Sequence, residues 1–285
     1  MNLPSTKNVC AVIITYNPEQ QILKEVDSIS KQVSEVIIID NASSEKKILD
    51  EIKNSYSNVS ILFNATNEGI AAALNKGIED ALQKGYSWVL QLDQDSLPEH
   101  DLVNELCRCA GLYNNERLAM IGCNYYLKDE PLLSDNSNSY QEVLTLITSG
   151  SLLSMKAYQE SGPYRNDFFI DAVDFEYSLR LKKAGFHSII TSKPLLHHSI
   201  GSIESVNFGA FKLQSTNHSP LRRYYRARNT MLITRKYFAS FPIWIIKYNF
   251  FLLLSVVLII LLEKEKGAKL KSVMKGITKG ITQQQ

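Results

Sequence analysis

The chain contains little cysteine: Cys10, Cys107, Cys109 and Cys123 in 285 residues. No two of them form a CxxC pair, and their spacing makes no framework. That argues against a thiolate zinc module and against a disulfide-stapled fold. Cys107 and Cys109 stand two apart in a helical pattern and face different ways, so free thiols in a reducing cytosol are expected. Also missing from the opening MNLPSTKNVCAVIITYN is a basic region followed by a long apolar core, and no secretory signal is expected. The sequence shows no internal repeat and no recognisable RNA- or DNA-binding module.

What is present is ordinary globular material, 45% hydrophobic and 21% charged, enough for one large domain or a domain with an appendage. The net charge of +2 hides an asymmetry. Arg222 to Lys236 holds six basic residues and no acid, and six lysines face two glutamates from Glu263 onward. A basic C-terminal third points to an anionic partner, such as a nucleic acid or a membrane surface.

VCAVIIT and EVIIID have the continuous, β-branched-rich character of strands buried on both faces, and NVSILFN and SWVLQLD read as a third and a fourth strand. Between them lie helical patterns: one from Pro18 to about Lys31, one over 44–55, and one over 69–84 closed by Gly85. Strands alternating with helices predict βαβ units around a parallel sheet, an α/β fold. Ligands of such sheets bind at the carboxyl ends of the strands. The polar groups ending the four runs would therefore share one rim: Thr15, Tyr16 and Asn17; Asp40 and Asn41; Asn64 and Asn67; Asp93 and Asp95. Further on, 127–141 reads as a polar surface loop, VLTLITSGSLLSM as strand, turn and strand, and Asp174 to Ala184 as a helix stopped by Gly185.

Phe241 to Leu262 holds 22 residues with one charge, Lys247. Length permits a membrane span, but Lys247 and Asn249 leave a clean apolar run only from Phe250. A helix lying in the membrane interface, a true span, and a buried or dimer-forming helix all fit, with the basic tail suited to anionic lipid. The expected division is 1–215 as a catalytic domain and 216–285 as a basic and membrane-associated region.

Two carboxylates at i and i+2 past a strand end, as in LDQDS, can share one Mg2+ or Mn2+ with a phosphorylated ligand. The triplet alone is weak, since capping and turn formation before Pro98 would use the same residues. In sequence order, AVIITYNP, VIIIDNAS, NEGIAAALNKGI, QLDQDS, TSGSLLS and FFIDAVDFEYSLRLKKAGF resemble the family 2 inverting glycosyltransferases of GT-A fold. LDQDS, FFIDAVDFEYSLR and HHSIG resemble more narrowly the bacterial rhamnosyltransferases of O-antigen and capsule synthesis. The resemblance spans roughly 9–235.

That resemblance implies a Rossmann-like central sheet and a role for each matching residue. Asp40 would accept from the base N3–H of the nucleotide, with Thr15, Tyr16 and Asn17 lining the base and ribose pocket. Asn67 and Gly69 would let backbone approach the nucleotide, while Asn75 and Gly77 read as helix packing or loop support. Asp93 would contact ribose or support the metal, and Asp95 would bind it beside the diphosphate. His198, within HHSIG, would be a third ligand, or else an ordinary loop histidine. Asp174 would be the general base, and Asp171 a rival for that role, a sugar contact or a helix cap; Val173 stands where the family carries glutamate. Glu176 and Arg180 would orient the base or bind acceptor. Ser149 and Gly150, in TSGS, would floor the acceptor site or simply turn the chain. RRYYRARN would clamp phosphate oxygens.

The implied activity is transfer of a sugar, dTDP-L-rhamnose being the favoured donor and a UDP-sugar the alternative, to a lipid-linked saccharide. The cytoplasmic face of the inner membrane is the expected location, with Mg2+ or Mn2+ as cofactor and no nucleic-acid partner. A DxD phosphatase is disfavoured by the triplet's late position and by Leu97. A nucleotidyltransferase is disfavoured because no glycine-rich basic loop follows the first strand. A silent membrane scaffold would have no use for acids on one rim.

Overall fold

The computed structural model describes residues 2–127, 130–133, 139–198, 204–208 and 211–284. In chain order its elements are β1 (Val9–Thr15), α1 (Gln21–Ser30), β2 (Glu35–Asp40), α2 (Lys47–Ser55), β3 (Val59–Phe63), α3 (Ile70–Gln83), β4 (Trp88–Asp93), β5 (Ser96–Pro98) and α4 (Leu102–Tyr113). They continue with β6 (Leu118–Leu127), β7 (Glu130–Pro131), β8 (Tyr140–Glu142), β9 (Ser151–Ser154), α5 (Met155–Ser161), α6 (Val173–Lys183) and β10 (His187–His198). The last are β11 (Glu204–Phe208), β12 (Phe211–Ser215), α7 (Pro220–Tyr237), α8 (Pro242–Leu262) and α9 (Lys266–Thr282).

The chain divides into two compact units: 1–167 with 177–199, and 168–176 with 200–285. In the first, the sheet order is β3-β2-β1-β4-β9-β6-β10-β5, with β7 on β6 and β8 on β10. β3, β2, β1 and β4 are mutually parallel, as the buried-strand pattern predicts. Register brings their ends level: Thr15 lies opposite Asp40, Ile14 opposite Asp93, and Asp40 opposite Phe63. β9 runs antiparallel to β4, so Ser151 pairs with Gln91 and the 148–150 turn arrives at the same rim.

All seven residues of β1 are buried. Val9, Ala11 and Ile13 pack with Ile22, Val26 and Ile29 of α1 and with Leu102, Val103 and Leu106 of α4. Each such fully buried aliphatic side chain contributes about 1.5–3 kcal/mol. On the other face, α3 comes so close that a Cβ on Gly77 would stand 2.5 Å from Val12 Cγ1. Asn75, two residues before, donates to Tyr164 O and accepts from Tyr164 N, both at 2.8 Å. Both residues therefore serve helix packing.

The middle of the chain differs from expectation. Within 127–141, β7 and part of β8 form short strands on the sheet. Val143 to Thr148, expected as a strand, is irregular, because Leu146 N bonds Ser178 Oγ at 3.2 Å instead of a neighbouring strand. All four cysteines are free thiols, as expected, and burial pushes Cys107 and Cys109 up to about 11.

In the second unit, α7 and α9 meet at backbone distance. A Cβ on Gly276 would lie 2.4 Å from Tyr224 O, and one on Gly280 2.5 Å from Arg228 O. The apolar helix α8 buries only a narrow stripe, Ile245, Leu252, Ser255 and Ile259. Leu252 and Ile259 pack with Ala227 of α7 and Val273 of α9. Glu263, just past α8, is buried in contact with Arg223, Ser215 and Lys269, the last at 2.9 Å. Much of the rest of α8 is exposed apolar surface, including Ile243, Ile246, Phe250, Phe251, Leu253 and Leu261.

Substituting Gly77→Val should force α3 off β1 and destabilise the protein by about 1–3 kcal/mol in urea unfolding, with the denaturant slope unchanged.

Candidate active site

The rim at the carboxyl ends of β1, β2 and β4 is built from buried polar side chains that satisfy one another. Asp40, fully buried, accepts from Thr15 Oγ1 at 3.1 Å and Ser43 N at 3.0 Å, and contacts Ser43 Oγ. Its carboxylate thus joins the ends of β1 and β2 and has no solvent-facing surface. Asn17, at φ +49°, accepts from Ser44 N and Ser44 Oγ, each at 2.9 Å. Tyr16 is half exposed beside it. Asn17 also borders a cavity of about 520 Å3 between α1 and α2, with Leu23, Ser44 and Glu51.

Asn41 organises the next loop, a role missed in the sequence. Its amide donates to Asn67 Oδ1 at 2.9 Å and Gly69 O at 3.2 Å, and its Oδ1 accepts from Glu68 N at 2.9 Å. Gly69 sits at φ +85°, where a Cβ would be strained, just before α3.

Asp93 ends β4, and Gln94 and Asp95 form the turn into β5. Gln94, a mere spacer in the DxD pattern, clamps the β1 loop from both sides. Its Oε1 accepts from Tyr16 N at 2.7 Å and its Nε2 donates to Tyr16 O at 3.2 Å. Asp93 N donates to Ser149 Oγ at 3.1 Å, and that hydroxyl donates to Ser96 Oγ at 2.8 Å. Gly150, at φ +75°, has no room for a Cβ, which would meet Cys123 Sγ at 2.5 Å. The TSGS turn therefore shapes the acid triplet from behind. β10 runs antiparallel to β5 and pairs residue 198 with Ser96, next to Asp95; the His198 side chain lies outside the described residues.

Residues 10–149 match Glycosyl transferase family 2. That stretch is a family 2 glycosyl transferase domain. The dTDP-rhamnosyl transferase RfbF of Shigella flexneri is 29% identical to the chain over 249 residues, 80% of each. The crystal structure of GalNAc-T7 with UDP, GalNAc and Mn2+ superposes with a TM-score of 0.58 and 16% identity over 67% of this chain. The chain covers 43% of that larger protein, and the likeness establishes the GT-A fold.

In the family 2 domain the acids suit a divalent cation. Glu25 of α1, fully buried with both oxygens unpartnered, is held well above the usual carboxylate range by burial and by the charges of Asp93 and Asp95. Its position three residues after Ile22, on the apolar face of α1, was the signal available in the sequence. Asp93 and Asp95 make a negative excess, felt by the Glu25 carboxyl, that a cation would relieve. Among the described residues no three metal-ligating side chains surround one point.

Other expected site residues are engaged by the protein. Arg180, read in the sequence as an acceptor or substrate contact, donates to Ser161 O at 3.2 Å and Pro163 O at 2.7 Å, bracing that loop, because its helix faces those carbonyls. In the second unit, Asp171 meets Arg222 Nε through both oxygens, at 3.1 and 3.2 Å. Glu176 accepts from Tyr237 OH at 2.8 Å and Lys236 at 3.1 Å. Asp174 lies in the first turn of α6, its Oδ1 accepting from Phe175 N at 2.9 Å.

Because the Glu25 carboxyl holds its proton more tightly folded than unfolded, its effect on stability is most favourable below its ordinary value of 4.5 and worsens as pH rises. Glu25→Gln should therefore be more stable than the parent at neutral pH. The advantage should grow by about 1.4 kcal/mol per pH unit above that value, until the folded-state pKa is reached. Urea unfolding at several pH values measures it.

Proposed function

We propose that the chain transfers L-rhamnose, with inversion, from dTDP-L-rhamnose to a lipid-linked saccharide at the cytoplasmic face of a bacterial inner membrane. The observation that carries the reading is the acid triplet 93–95 at the carboxyl end of β4 inside the family 2 domain. The likeness to a dTDP-rhamnosyl transferase supports the choice of donor. Tyr16 and Asn17 receive the base and ribose, with Thr15 and the buried Asp40 shaping that pocket from behind, and Asn67 and Gly69 bring backbone up to the nucleotide. Asp95, with Asp93 and His198, would hold the cation, which when bound neutralises charge on the departing diphosphate.

Asp174 takes the proton of the acceptor hydroxyl as its oxygen bonds to the anomeric carbon. The bond from that carbon to the diphosphate oxygen breaks, and its electron pair leaves with the nucleotide. The Arg222 guanidinium on Asp171 supports this division of labour, since both oxygens of that carboxylate are already engaged.

At the start of α7, burial together with Arg222, Arg223 and Arg226 pushes His218 down to about 4. Arg222 and Arg223 are paired with Asp171 and Glu263, so Arg226 is the one of the three suited to phosphate oxygens. The exposed apolar face of α8 suits a lipid surface. Because α8 packs along α7 and α9, a span would draw their arginines and lysines into hydrocarbon, which supports a helix lying in the interface.

Three measurements test the reading. With a panel of dTDP- and UDP-sugars and membrane extract as acceptor, dTDP-L-rhamnose should be the donor consumed. Asp95→Ala should abolish transfer, and Asp174→Asn should retain nucleotide binding while losing about 10²–10⁴-fold in turnover. Phe250→Asp should reduce flotation with anionic lipid vesicles; unchanged flotation would count against the interfacial helix.

A further inference from the structure

The segment before α6 is held in an unusual shape. Asp171 and Ala172 adopt φ of +64° and +62°, consecutive left-handed conformations in residues that carry a Cβ. Such a pair is strained and persists only when neighbours over-determine it. The turn leads straight into α6, whose first turn carries Asp174; the first bond of that turn is Glu176 N to Ala172 O, at 3.0 Å.

The neighbour that holds it is Asn229, on α7 and fully buried. Its Nδ2 donates to Ile170 O at 3.0 Å and to Asp171 O at 2.7 Å. These carbonyls belong to the two peptide planes whose tilt the positive φ angles set, so one amide group fixes both planes. Its Oδ1 has no hydrogen-bond partner, which leaves the two donated bonds as the polar interactions that offset burial of this side chain. Other contacts along α7 hold the same segment. Phe169 stacks on Tyr225 with centroids 5.2 Å apart, Arg228 lies over Phe168, and Arg222 pairs with Asp171. Only Asn229 addresses the strained backbone itself among these.

We propose that Asn229 is a positioning residue for the catalytic base: its carboxamide holds the Asp171–Ala172 turn in the shape that aims Asp174. The inference rests on the reading of Asp174 as that base. A small misplacement of a reacting group suffices to cost about 10²-fold in rate, while nucleotide binding on the separate β1–β4 rim should be indifferent to it.

The test uses the full-length chain, with transfer kinetics alongside binding of dTDP in the presence of Mn2+. Asn229→Ala should lower kcat about 10²-fold and leave nucleotide affinity unchanged. Adding Ala172→Gly to that variant should restore much of the loss, since glycine holds positive φ without strain. A role for Asn229 confined to overall stability or to acceptor contact predicts no such rescue. Ala172→Val, which keeps Asn229 but disfavours the turn, should show the same selective fall in kcat, and it remains informative if Asn229→Ala does not fold. Full kcat in either single variant, or parallel loss of nucleotide binding, overturns the inference. If Asp174→Asn turns over normally, the reading of the base fails, and this proposal with it. If Asp174→Asn is inactive while Asn229→Ala is not, only the present inference falls.

Discussion

The arrangement of the first unit depends on the level register of three parallel strands. Thr15 opposite Asp40 and Ile14 opposite Asp93 bring polar residues from distant parts of the chain to one edge. Asp40 then becomes the shared acceptor of Thr15 and Ser43, so a carboxylate buried at the sheet edge is satisfied instead of orphaned. A slip of one residue would reverse the facing of every strand side chain and dissolve the rim. The apolar faces above and below the strands, α1 and α4 on one side and α3 on the other, hold that register.

Around the rim, satisfied polar groups and strained ones are divided cleanly. Asn41, Gln94 and Ser149 each bond loops that lie far apart in sequence, which makes the edge rigid before any ligand arrives. Glu25 is the exception. Its carboxyl is buried beside two further acids without a hydrogen-bond partner, an arrangement that opposes stability and favours a cation. Such a conflict between stability and local charge is what a functional site produces.

The second unit answers a different constraint. α7 and α9 supply too little apolar contact to cover α8, and most of that helix remains unburied. Its anchorage comes from a narrow stripe and from Glu263, held among Arg223, Lys269 and Ser215. α7 thereby serves two purposes, carrying α8 and α9 along part of its surface and the 168–176 segment along another.

Much of this was legible in the sequence because it is local. Largely apolar runs in β1, β2 and β4 declared buried strands, and the Asp93–Asp95 triplet declared its place at a strand end. The largely apolar stretch of 22 residues from Phe241 announced α8. What only the tertiary structure decided are pairings between residues far apart in the chain: Asp171 with Arg222, separated by 51 positions, and Asn229 with Asp171, separated by 58. Whether an arginine such as Arg180 meets a ligand or its own loop also depends on which carbonyls fold against it. Periodicity reports which face of an element is buried, but not what that face meets. Backbone angles such as those at Asp171 and Ala172 arise from that meeting and leave no trace in residue type.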